Sequence, residues 1–240
     1  MITLLIESFN DQLPKLPEAV VLMNGMASNE TAFIPQLRRS SDGHFGLLPD
    51  EVATGSVAFV HRYLRNSEIK LNYLDYPESL HPWFARNIKQ VKLRDIKPEE
   101  KCFIKPVVTK QFEAKENRYF SPALRNEFID SMVWKSDVVH FDAEYRVFVH
   151  NNDAIGFSFY KGNPEATPNW KIIRDMMAAY KDSPIAYGLD VGVIQTKLRT
   201  NTVLIEVNDF PALGAYSIYP DLYADAYLDR WAEILARGYV

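Results

Sequence analysis

Apolar and polar positions alternate with period two along Val203-Leu-Ile-Glu-Val-Asn208. That alternation predicts a strand with Val203, Ile205 and Val207 on one face and Leu204, Glu206 and Asn208 on the other. Similar patterning marks Lys101 to Pro106, Glu144 to Val149, Ala154 to Tyr160 and Gly188 to Gln195 as strands. Asn151-Asn152-Asp153 supplies turn chemistry between the second and third of these, and Gly188 to Gln195 pairs with Val203 to Asn208. Met132 to His140 reads as extended. Ser121-Pro122 opens a helix to Asp130, Asn169 caps an amphipathic helix through Tyr180, and a last helix runs from Asp221 to Ala236 with Gly238 beyond its end.

The first part of the chain carries shorter apolar runs. Met1 to Glu7 and Glu18 to Met23 read as buried strands separated by Pro14 and Pro17, and Gly55 to Val60 and Leu71 to Tyr76 read as two more. Ser28 or Asn29 caps a short helix towards Arg39. Strands spaced widely enough to hold helices favour an open α/β sheet. Lys97-Pro98 closes a stretch of mixed polarity, and the domain boundary is placed there: residues 1–97, then 98–240.

Composition narrows the chemistry. The chain has 240 residues, 47% of them hydrophobic, so it can bury a sizeable core. A formal net charge of −4 gives no global basic field for a nucleic-acid backbone. Cys102 is the one cysteine, which excludes an internal disulfide and a cysteine-based zinc site. No apolar run approaches the roughly 20 residues that span a bilayer, so a soluble cytoplasmic protein with no membrane partner is expected. Oligomeric state is not readable.

The informative positions are charged residues inside strands. Glu206 and Asn208 offer hard oxygen donors that suit Mg²⁺, and Asp190, between apolar neighbours on the preceding strand, completes a set of three. Equally, Glu206 and Asn208 suit the solvent face of an edge strand, and the trio suits a hydrogen-bonded network. Lys105 and Lys110 could straddle a polyphosphate; the alternatives are a Lys105 that snorkels to solvent or pairs with Glu206, and a solvated loop charge at Lys110. Arg146 suits a γ-phosphate or an oxyanion, or an ordinary ion pair. Neither GxxxxGK[ST] nor GxGxxG is present, so any nucleotide is held by side chains and a sheet.

The order Phe-Ile-Lys-Pro106, Glu-x-Arg146, Leu-Asp-Val-Gly192, Ile-Glu-Val-Asn208 resembles the ATP-grasp superfamily of carboxylate–amine ligases. More closely, it looks like a small clade of that superfamily marked by one arginine and two lysines, which here would be Arg146, Lys105 and Lys110. The resemblance implies an ATP-grasp fold, two α+β subdomains clamping a nucleotide, preceded by a small α/β pre-ATP-grasp domain. It further implies that Lys105 and Lys110 hold the α- and β-phosphates, Asp137, Val138 and Val139 read adenine through their backbone, and Glu144 bonds the ribose. Asp190, Glu206 and Asn208 would coordinate Mg²⁺, with Arg146 facing the γ-phosphate and the reacting carboxylate. The implied reaction joins a carboxylate on a small molecule, peptide or protein to an amine through an acyl phosphate. Two features depart from the pattern. Gly188 stands where some ATP-grasp ligases carry an arginine, and no glycine-rich flap lies between Lys110 and Ser121. A regulatory nucleotide-binding module and a phosphotransferase are the rival functions.

Overall fold

The computed structural model describes residues 1–9, 12–39, 41–42, 46–69, 73–211 and 213–237. The chain opens with strand β1 (Ile2–Ser8), helix α1 (Pro17–Ser28), strands β2 (Phe33–Arg39) and β3 (Glu51–Thr54), and helix α2 (Val57–Asn66). β1 lies between β2 and β3 and is parallel to both. Parallel neighbours need a crossover, and α1 makes the one from β1 to β2.

Several expectations for this part are corrected. Glu18 to Met23 is not a strand but part of α1. Pro17 takes the first helical turn, where a missing N–H costs nothing, and Ala19, Leu22, Gly25 and Met26 form its buried face. A short apolar run fits a strand or a buried helix equally well. The predicted helix after Ser28 and Asn29 is instead β2, whose pairing runs from Ile2↔Phe33 to Ser8↔Arg39. Gly55 to Val60 leads into α2: Ser56 Oγ accepts from Phe59 N at 3.3 Å, and the buried Glu7 carboxylate accepts from Ser56 N at 2.6 Å. Of the strand expected over 71–76, residues 71 and 72 lie outside the described residues, and Asp75 makes a single antiparallel bridge to Val207.

His61 on α2 is buried. Burial, reinforced by Arg65, pulls its imidazole down to about 4. Between that value and the ordinary 6.5 the unfolded chain takes up a proton that the folded chain refuses, so stability falls as the pH drops through this window. This group alone is expected to cost about 3 kcal/mol between pH 7 and pH 4. Urea unfolding at the two pH values measures it. His61→Gln should lack that part of the loss, and an identical loss in both proteins contradicts the assignment.

A second, antiparallel sheet has the order β4-β7-β5-β6, formed by β4 (Ile88–Lys92), β5 (Phe103–Pro106), β6 (Lys115–Glu116) and β7 (Met132–Ser136). Leu93, Ile96, Cys102, Ile104 and Val133 make its small core. β4 precedes residue 97 and pairs with β7 beyond it, so this sheet runs across that position. Helix α3 (Pro122–Glu127) is capped by Ser121 and stops short of the expected Asp130.

The third sheet, also antiparallel, has the order β11-β10-β8-β9: β8 (Ala143–His150), β9 (Asp153–Gly162), β10 (Ala186–Gln195) and β11 (Thr200–Asp209). Asn151 and Asn152 take φ of 52° and 65° in the β8–β9 turn, the left-handed geometry that asparagine tolerates. Helix α4 (Trp170–Ala179), capped by Asn169, packs Ile173 and Met176 against Val147, Val149, Leu189 and Val191. Helix α5 (Pro220–Arg237) returns to the first sheet. Tyr227 Oη donates to Ala53 O at 2.7 Å and Trp231 Nε1 to Glu51 O at 3.0 Å. Gly25 brings α1 so close to α5 that an added Cβ would lie 1.8 Å from the Pro220 carbonyl oxygen. Gly238 lies outside the described residues. Among the described residues no helix is long and apolar enough to cross a membrane.

Candidate nucleotide cleft

Register builds the site. Arg146 on β8, Asp190 on β10 and Glu206 on β11 are direct cross-strand partners, so three charged side chains form one row across the third sheet. The sheet buries its other face on α4, and this row borders a cleft of about 870 Å³ whose opposite wall is the β5–β7 sheet. Lys105, Lys110, Glu144, Arg146, Glu206 and Asn208 all line the cleft, as do Asp137, Val138 and Val139. Asp190 lies buried behind Arg146.

Two β-bulges aim the side chains. Asp190 faces Glu206 while the next residue, Val191, faces Leu204, so Ile205 is an extra, unpaired residue on β11. This corrects the expectation that Val203, Ile205 and Val207 share one face. Leu204 and Val207 enter the core, and Ile205, Glu206 and Asn208 border the cleft. Arg86 serves the displaced backbone, donating through Nη1 to Leu204 O at 3.1 Å and through Nη2 to Ile205 O at 2.6 Å. A second bulge leaves Tyr160 as the extra residue on β9 and sets its ring 6.0 Å from the Arg146 guanidinium. Neither Arg86 nor Tyr160 stood out in the sequence, because a bulge leaves no signature in period-two alternation.

Arg146 grips Asp190 with both arms, Nε to Oδ1 and Nη2 to Oδ2, each at 2.7 Å. The Tyr216 ring lies 5.3 Å from the guanidinium, stacked on Tyr160. Burial pushes the Asp190 carboxyl up to about 6 against the pull of Arg146. Asn208 Nδ2 donates to Asp190 Oδ2 at 3.0 Å and to Glu206 Oε1 at 3.1 Å. Lys105 Nζ reaches Glu206 Oε2 at 2.7 Å and Asp75 Oδ1 at 2.5 Å. Burial opposes its charge, yet Glu206, Tyr76 and Asp75 outweigh burial and hold Lys105 above the ordinary lysine range. Burial likewise raises Glu206, and Lys105 more than offsets it, leaving that carboxyl lowered.

The pairing of Lys105 with Glu206 and the hydrogen-bonded network, both open as alternatives from sequence, are therefore present in the fold. Asp75, a charge within the run Leu71 to Tyr76 and not one of the candidates above, joins them across 30 residues of chain. Asp137 uses its carboxylate to hold Asn87, accepting from N and Nδ2 at 2.9 Å each, while Glu144 pairs with Lys161 at 2.6 Å. Lys110 is exposed on the loop after β5, where φ is 64°. An added Cβ at Gly188 would lie 2.8 Å from Leu213, so the space beside that position is already filled.

A hard divalent cation fits the donor set. An amide N–H₂ already stands between the Asp190 and Glu206 carboxylates, a place that attracts positive charge, and all three residues carry the oxygen donors such an ion takes. Among the described residues no group of three or more His, Cys, Asp and Glu side chains could hold a metal ion; the trio holds two such side chains and an asparagine.

A family model matches residues 83–226, more than half of the chain, and describes an ATP-grasp domain, family 2 of the clade named for one arginine and two lysines. The chain belongs to this ATP-grasp family. A search of curated proteins gives no match. Solved ATP-grasp structures share the fold at low identity. D-cycloserine synthetase DcsG aligns with a TM-score of 0.54 and 12% identity over 97% of this chain and 99% of its own. D-alanine–D-alanine ligase from Bacillus anthracis, complexed with ATP, aligns at 0.51 and 10% over 99% and 96%. The ATP-grasp ligase PsnB, complexed with a minimal precursor, aligns at 0.50 and 12% over 95% and 99%. The matched residues 83–226 contain both antiparallel sheets that flank the cleft.

Proposed function

We propose that the protein is an ATP- and Mg²⁺-dependent ligase that activates a carboxylate and joins it to an amine. The observation that carries this reading is the cross-strand row Arg146–Asp190–Glu206, met by Lys105 from the opposite wall of an ATP-grasp cleft. Asp190, Glu206 and Asn208 would hold Mg²⁺, which supplies charge neutralisation on the phosphates. Lys105 and Lys110 bind the α- and β-phosphates as fixed positive charges, and Glu144 accepts from the ribose. Backbone groups of the extended Asp137, Val138 and Val139 segment orient the adenine. Arg146 keeps its charge at any working pH and faces the γ-phosphate and the substrate carboxylate.

In this reaction a carboxylate oxygen attacks the γ-phosphorus and ADP leaves. The amine nitrogen then attacks the acyl carbon, phosphate leaves and a proton is lost from nitrogen. Burial pushes the Tyr160 phenol up, so its hydroxyl stays protonated beside the reacting groups. The loop at 107–114 supplies Thr109, Phe112 and Glu113 to the cleft and contains no glycine, so closure over the phosphates uses other residue types. Structures that share the fold include D-alanine–D-alanine ligase and PsnB complexed with a minimal precursor, and an amino-acid or a peptide carboxylate each suits the reading.

The test is ADP release. It should rise when a carboxylate substrate is added, and hydroxylamine in place of the amine should yield a hydroxamate. ATP bound without turnover across amino-acid and peptide carboxylates would favour a nucleotide-binding regulatory module instead.

A further inference from the structure

Asp75 has no part in the reaction as assigned above, yet it occupies the junction of the two cleft walls. Its backbone oxygen accepts from Val207 N at 2.9 Å, which joins Asp75 to the edge of β11 between Glu206 and Asn208. Its carboxylate reaches the other wall. Lys105 and Trp134 are cross-strand partners on β5 and β7, and each donates to one oxygen of Asp75: Nζ to Oδ1 at 2.5 Å and Nε1 to Oδ2 at 3.0 Å. The Tyr76 ring lies 5.2 Å from the same ammonium.

Such an arrangement is costly. Asp75 is 5% exposed, burial raises its carboxyl despite Lys105, and its φ of 35° is uncommon for a residue with a side chain. Neutralising Lys105 does not require it, because Glu206 already sits 2.7 Å away. What Asp75 adds is a second carboxylate on the same ammonium, carried by a segment outside β11.

We propose that Asp75 is a positioning residue: it fixes the Lys105 ammonium over the cleft independently of Glu206, so that Glu206 can turn to a bound cation without drawing the lysine along. The purpose assigned to this arrangement rests on the ATP reading, whereas the contact itself exists without nucleotide.

The experiment measures acylation of individual lysines by an amine-reactive reagent at one fixed pH, on the intact folded chain without nucleotide, quantified by mass spectrometry. In Asp75→Asn, Lys105 should react about tenfold faster or more, the effect of losing one charge-assisted hydrogen bond. Lys115 on β6, paired with Glu113 of the preceding loop, should be unchanged. A wild-type rate at Lys105 in a variant with wild-type circular dichroism overturns the proposal, and so does equal acceleration at Lys115. If Asp75→Asn does not fold, Glu206→Gln tests the same point from the other side, because it removes the second carboxylate and leaves Asp75 in place. Lys105 should then keep most of its wild-type protection, and a rate as high as that of Lys115 overturns the proposal. A separate arm adds Mg²⁺ and a non-hydrolysable ATP analogue to the wild type. Absence of protection at Lys105 there counts against the ATP reading alone and leaves the Asp75 comparison intact.

Discussion

Arg146→Met should destabilise the protein by about 3–5 kcal/mol near pH 8, because it leaves a buried carboxylate without its partner. Asp190 is 3% exposed and receives two bonds at 2.7 Å from the guanidinium. Burial already lifts Asp190 to about 6 with Arg146 present, and removing the cation lifts it further. A carboxyl whose folded value exceeds its unfolded value favours folding below the unfolded value and loses that contribution as pH rises through the folded one. The deficit of the variant should therefore be smaller at pH 5 than at pH 8. Replacing both partners, Arg146→Met with Asp190→Leu, should recover most of the lost stability, since an apolar pair of similar volume replaces a desolvated ion pair at little cost. Urea unfolding of the four proteins at both pH values decides the matter. A single variant as stable as wild type at pH 8 would mean that the pair is open in solution.

Glu206→Gln should leave the fold intact and reduce ADP formation by about 10²–10³-fold or more, the scale of removing one electrostatic group from a phosphoryl-transfer site. The amide keeps one oxygen, which can accept from either Lys105 or Asn208, the donors that now reach the two carboxylate oxygens at 2.7 and 3.1 Å, so one of the two hydrogen bonds survives and the charge does not. Mn²⁺ binding, followed by electron paramagnetic resonance, gives a readout independent of turnover and should weaken in parallel. Full activity with unaltered Mn²⁺ binding would remove Glu206 from the metal set.

Much of the second part of the chain is legible because its strands are half buried and its turns carry their own chemistry. Period-two runs mark β8, β10 and β11, Asn151 and Asn152 mark the β8–β9 turn, and Ser121 and Asn169 mark two helix starts. The first part is not legible in the same way. Apolar runs such as Glu18 to Met23 are too short to separate a strand from a buried helix face, and only the parallel pairing of β2 with β1 decides that residues 33–39 are extended. Lys105, Arg146, Asp190 and Glu206 could be singled out because a charge inside an apolar strand conflicts locally with its surroundings. Asp75 breaks the same rule inside the strand expected over 71–76 and is the site residue that the sequence candidates omit; Arg86, Tyr160 and Tyr216 lie ahead of a strand, at a bulge or in a loop, where no local rule is broken.

For Glu206 and Asn208, then, the sequence alone determined a strand carrying a carboxylate and an amide on the side away from its neighbouring apolar residues. Alternation is a local property of the backbone, so it can be read without the rest of the chain. Only the tertiary structure decided that a bulge at Ile205 turns both side chains into a cleft, that Arg146 and Asp190 stand in the same row, and that Asp75 closes the network from the opposite direction. Register, bulges and long-range ion pairs depend on which strands meet, and that is fixed by burial of the whole molecule rather than by any one segment.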